Sequence, residues 1–93
     1  MSALKYVKWP KKSQFGGILT NDQWKSLDKK MREFIAEKIG HCDTKDAIFT
    51  LGELMAGLHL QKTKTGNVKH QQTLTLQHDY TLLVYDHLFE RIL

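Results

Sequence analysis

Five histidines and one cysteine are the residues of this chain best equipped for chemistry. A metal site or a thiol nucleophile is what they would make. A zinc site needs imidazole or thiolate ligands converging on one centre, and that shows as short, regular spacings. His41 and Cys42 are adjacent, so their side chains point apart in most backbones. His59, His70, His78 and His87 follow no CxxC, HxxxH or HExxH arrangement. Surface or hydrogen-bonded histidines account for them better, so neither a metal nor a cofactor is expected.

Cys42 with His41 or His59 would be the smallest nucleophile-and-base pair. A reactive cysteine needs an electropositive or helix-N-terminal setting that lowers its pKa. Cys42 does precede a helix start, but a small packing residue at a helix–helix turn, against Ala47, is the simpler role. Among the carboxylates, Asp43 and Asp46 serve helix capping and Glu53 stands alone. Gly16-Gly17 lacks the surroundings of a phosphate-binding loop. No enzyme is expected.

Binding is better supported. Lys5-Tyr6-Val7-Lys8-Trp9-Pro10-Lys11-Lys12 interleaves cations with two aromatic rings. Such a segment can neutralise phosphates and stack on bases. It can equally be an edge strand whose lysines discourage pairing. A second basic cluster, Lys62, Lys64 and Lys69 beside His70, falls where the chain reverses.

The elements that must position these residues follow from pattern. Thr20 and Gln23 form a capping box, and Leu19 with Trp24 a hydrophobic staple. Trp24, Leu27, Met31, Phe34, Ile35 and Ile39 then recur at helical spacing, which predicts a helix over 21–39. Gly40 is suited to end it in the left-handed conformation. Asp43 caps a second helix, expected over 43–58, with Ala47, Ile48, Leu51, Leu54, Met55 and Leu58 inward. Gly52, Ala56 and Gly57 leave a bare face beside Phe49. They mark either a fraying end or the close approach of another backbone.

Leu58-His59-Leu60-Gln61 and Thr73-Leu74-Thr75-Leu76 alternate with period two around Gly66-Asn67, the signature of a β-hairpin over about 58–76 with a basic tip. The rival is one long helix from about Gln71 to the C-terminus, since Leu76, Tyr80, Leu83 and Leu88 also share a face. The alternation favours the hairpin. A last helix over 79–92 is apolar at more positions than one buried stripe requires. That excess points to a central place in the core or to contact with another chain, including a homodimer through 79–93.

Charge is arranged in blocks. Residues 1–38 carry +5, 39–60 carry −2, 61–78 carry +3 and 79–93 carry −2, for a net +4 over 93 residues. A mildly basic chain favours encounter with anionic partners without fixing which. A hydrophobic fraction of 41% and a charged fraction of 26% fit one globular domain. The single cysteine excludes an internal disulfide and fits a reducing compartment. The longest apolar run, Leu82 to Tyr85, is too short to span a bilayer. A cytoplasmic location without membrane contact is expected.

The sequence therefore predicts an α+β, mostly helical domain over 1–93. It has three helices, a small hairpin, a basic N-terminal arm over about 1–17 and an N-terminal edge strand. The expected function is that of a non-enzymatic adaptor or inhibitor contacting an anionic protein or nucleoprotein. Its profile is one shared with small phage or plasmid accessory proteins. Tyr6, Lys8, Trp9, Lys11, Lys12, Lys25, Lys29, Arg32, Lys62, Lys64 and Lys69 would make the polar contacts, and Leu88 and Phe89 the apolar ones. The alternative is a non-sequence-specific nucleic-acid-binding protein of winged-helix-like layout, touching the phosphate backbone. Its helix before the hairpin carries Asp43, Lys45, Asp46 and Glu53 and nothing placed to read bases.

Overall fold

Thr20 opens the first helix as its pattern requires. Its hydroxyl accepts from the Gln23 backbone N–H at 3.1 Å, and the Gln23 side chain accepts from the Thr20 N–H at 2.9 Å. In this computed structural model, which describes residues 2–93, α1 runs Asn21–Ile39, α2 Thr44–Lys64 and α3 Val68–Ile92. Two 3-10 turns, Ala3–Tyr6 and Lys12–Phe15, precede them.

Among the described residues there is no strand, so the fold is a helical bundle and not the expected α+β domain with a hairpin. The hairpin over 58–76 is replaced by the last turns of α2 and the first turns of α3. Its turn is real but joins two helices. Thr65 leaves α2 in an extended conformation, and the Asn67 side chain caps α3 by accepting from the His70 N–H at 3.0 Å. Gln71 closes the connection, its amide donating to the Thr65 carbonyl at 2.7 Å. The rival long helix is the nearer description, and it begins at Val68. The helices expected over 43–58 and 79–92 are accordingly longer than their patterns implied.

The threonines that mimicked a strand are accommodated by helix chemistry. The Thr73 and Thr75 hydroxyls donate to the carbonyls of Lys69 and Gln71 four residues earlier, as Thr81, further along the helix, does to Gln77. This back-bonding satisfies the hydroxyl without leaving the helix.

The N-terminal segment is an ordered arm and not an edge strand. Ser2 caps its first turn, and the Ala3 N–H donates to the Cys42 carbonyl at 2.7 Å, tying the arm to the α1–α2 connection. Residue 1, where the expected arm begins, lies outside the described residues. Gly16 and Gly17 turn the arm into α1 with φ of 67° and 77°, a region that suits glycine. Gly40 ends α1 in a right-handed and not a left-handed conformation, φ −60° and ψ −21°. Glycine is needed there for another reason: a Cβ would lie 2.6 Å from the Ala36 carbonyl oxygen.

The core joins Met31, Ile35 and Ile39 of α1 to Ala47, Ile48 and Leu51 of α2 and to Tyr80, Val84 and Leu88 of α3, with Ala3 and Phe15 of the arm packed into it. The antiparallel pair α2 and α3 packs most closely. If Asn67 is a helix cap and not a hairpin turn, Asn67→Ala should destabilise the fold by ~1 kcal/mol. Urea denaturation followed by circular dichroism measures this, and an unchanged midpoint would contradict the cap.

Candidate binding surface

Besides Phe15, which enters the core, two rings hold the arm against the helices. Trp9 is half-buried, and the Arg32 guanidinium lies over its ring at 5.4 Å. Tyr6 is covered in the same way by Arg91, 3.6 Å from the ring centre. An arginine stacked on an aromatic face combines charge attraction with packing. Both rings thus have one face occupied from within the chain, which reduces what they offer to a base.

Arg32 is itself positioned from below. Its Nε donates to Asp28 Oδ1 at 2.9 Å, one helical turn back. The same oxygen accepts from the Tyr80 hydroxyl at 2.7 Å. Tyr80 has no exposed surface and lies among aromatic rings, with Trp24 at 6.1 Å and Phe15 at 6.3 Å between centroids. Burial first, and then the hydrogen bond to the Asp28 carboxylate, push its phenol well above the usual value of ~10. Sequence spacing gave no sign of this pairing, since 52 residues separate the partners.

This framework sets the arm's lysines beside one flank of α1. Lys25, Lys29 and Arg32 recur at four and three residues, so they share a side of the helix, and all three are exposed. Lys12 reaches the start of α1, where its Nζ donates to Asn21 Oδ1 at 2.9 Å. Lys8 and Lys11 are exposed, but they line a groove of about 390 Å³ whose opposite wall carries Asp86, His87 and Glu90 of α3. The first positive block and the last negative block therefore face each other in part. The basic surface proper is the α1 flank with the outward side of the arm.

The second cluster lies at the α2–α3 tip. Lys64 and Lys69 are exposed on either side of the connection, while Lys62 is partly covered. Lys62 borders a groove of about 600 Å³ whose apolar wall includes Ile18, Val68 and Leu76. No hairpin carries these lysines, so the winged layout falls away with it.

Leu88 and Phe89 part company. Leu88 is fully buried in the core and cannot meet a partner, whereas Phe89 is 38% exposed and stacks on Tyr85 at 5.9 Å. The reason is registry: Tyr80, Val84 and Leu88 follow one another at four residues on the inward side of α3. Cys42 is half-buried, its Sγ 3.8 Å from the Lys38 carbonyl oxygen. No group of three His, Cys, Asp or Glu that could hold a metal exists among the described residues, and no helix there is long and apolar enough to cross a membrane.

Fold and surface together define a small three-helix protein whose distinctive features are exposed faces and not an enclosed cleft. No family model, curated protein or solved structure matches the chain.

Because folding favours the neutral phenol, the contribution of Tyr80 is complete below pH ~10 and is lost as pH rises beyond it. An alkaline absorbance titration should show a tyrosinate component that appears only as helicity is lost, and Tyr80→Phe should remove it. At neutral pH the same substitution should lower stability by ~1.5 kcal/mol, since it deletes a hydrogen bond to a charged acceptor. A tyrosinate spectrum complete in the folded protein would refute the coupling.

Proposed function

We propose that the protein is a non-enzymatic binding module, of adaptor or inhibitor type, that meets an anionic protein or nucleoprotein surface. The contact face is the Lys25, Lys29 and Arg32 flank of α1 with Lys12 and the outward side of the arm. Lys64 and Lys69 at the tip form a second patch. The observation that carries this reading is the Asp28–Arg32–Trp9 arrangement, which fixes basic residues from two distant parts of the chain on adjoining surface. Pre-positioned surface cations steer encounter and fix register more than they add raw affinity.

An acidic protein surface is favoured over free nucleic acid. Stacking on single-stranded bases needs open aromatic faces, and Tyr6 and Trp9 each have a face occupied by arginine. Helical recognition of base edges needs Arg, Asn or Gln free to reach them, and the one arginine of the α1 flank, Arg32, is committed to Asp28 and Trp9. A reducing, cytoplasmic setting suits the lone Cys42.

Reversing two charges on the flank tests the reading. Lys25→Glu combined with Lys29→Glu should weaken capture of the partner from host lysate at least ~10-fold, with circular dichroism unchanged. Undiminished capture would reject the flank as the contact. Loss of capture on nuclease treatment of the wild-type sample, together with steep weakening of oligonucleotide binding between low and physiological salt, would transfer the function to nucleic acid.

A further inference from the structure

The side of α2 opposite its buried Ala47 and Leu51 is apolar and bare. Phe49 is 68% exposed there, although a large aromatic ring is among the costliest side chains to leave in water. It stands at the edge of an open trough of about 450 Å³ floored by Gly52, Ala56 and the ring of Tyr85. Phe89 extends the patch along α3 through its stack on Tyr85. A protruding ring next to a side-chain-free strip on the same helix is a knob beside a hole. Two copies related by a two-fold axis can fill each other's holes with each other's knobs.

The charges bordering the trough have the matching symmetry. Lys45 lies four residues before Phe49 and Glu53 four residues after it, both on the trough's edge and both exposed. At 1.5 Å per residue they sit about 12 Å apart along the helix, too far to pair with each other. Neither has an ion-pair partner among the described residues. In two antiparallel copies of α2, residues equally spaced before and after the crossing point come opposite one another. With that point midway between Phe49 and Gly52, each Phe49 ring lies over the partner's Gly52, and each Lys45 is only about 4.5 Å along the axis from the level of the partner's Glu53, within side-chain reach.

We propose that the protein is a homodimer whose seam is α2, with Phe49 seated in the trough of the second copy and two reciprocal Lys45–Glu53 pairs at its edges. This goes beyond the basic surface and does not depend on it, since none of the residues lining the trough belongs to that surface.

Sedimentation equilibrium on the full chain across micromolar to high micromolar concentration, with parallel circular dichroism, tests it. The wild type should show twice the chain mass, and Phe49→Glu should be monomeric with native helicity, since the ring is outside the core. Lys45→Glu alone and Glu53→Lys alone should each raise the dissociation constant several-fold. The double variant Lys45→Glu with Glu53→Lys should recover most of that loss, because reversing both members restores each pair. A wild type that remains monomeric, a Phe49→Glu variant that remains dimeric, or a double variant no tighter than the singles would each overturn the proposal. The first two reject the seam, and the third rejects its register.

Discussion

A tyrosine with no exposed surface must find an acceptor for its hydroxyl, and in this fold Tyr80 finds it on another helix. Its bond to Asp28 ties α3 to α1 across 52 residues of sequence. The same carboxylate oxygen holds Arg32, Arg32 covers Trp9, and Trp9 anchors the arm. Phe15, from the arm's second turn, closes over Tyr80 and Trp24. One buried acceptor contact thus fixes helix, arm and basic surface together. A shared acceptor of this kind is vulnerable as well as economical, since buried polar groups are costly when one member is lost.

The parts of the fold legible in the sequence are those where local signals agree with one another. Thr20, Gln23, Leu19 and Trp24 announce α1 four times over, and its extent matches the pattern. Residues 58–76 carried conflicting signals. Thr73-Leu74-Thr75-Leu76 has the period of a strand, yet β-propensity chiefly reports packing context, and the context here is a helix whose Leu74 is buried. The threonine hydroxyls find acceptors one turn back, so their usual penalty is muted. Asn67 suits both a hairpin turn and a helix cap, because the same side-chain oxygen that closes a turn can accept from an N–H three residues on. Only the tertiary fit of Leu58 and Leu74 onto the neighbouring helix separates the two.

Of the surface, residue spacing identifies members but not their neighbours. The Lys25, Lys29 and Arg32 flank follows from spacing alone. That Arg32 would lie on Trp9 does not, nor that Arg91 would cover Tyr6, because those contacts join residues 23 and 85 positions apart. Blocks of charge in sequence also do not become faces of charge in space. Lys8 and Lys11 look across a groove at Asp86 and Glu90, so part of the first positive block is offset by the last negative one. Leu88 shows the same limit for apolar residues: a segment with more hydrophobic positions than one stripe needs does not reveal which of two adjacent residues, Leu88 or Phe89, turns outward.

The glycines of α2 pose a question that the folded chain by itself leaves unanswered. Each costs roughly 1 kcal/mol relative to alanine inside a helix. Gly40 has an intramolecular justification, since any Cβ would press on the Ala36 carbonyl. Gly52 has none: the nearest atom to a Cβ there is in the Tyr85 ring at 3.9 Å, ordinary contact distance, and around Gly57 there is nothing within 4 Å. They do not mark a fraying end either, for α2 continues to Lys64. A helix that omits side chains where its own fold would tolerate them, beside a phenylalanine its own fold does not bury, is shaped for something outside the chain. The arm lays its rings against Arg32 of α1 and Arg91 of α3, whereas Phe49 stays 68% exposed, and the bare strip at Gly52 and Ala56 beside it is the part of the surface best suited to receive a cover.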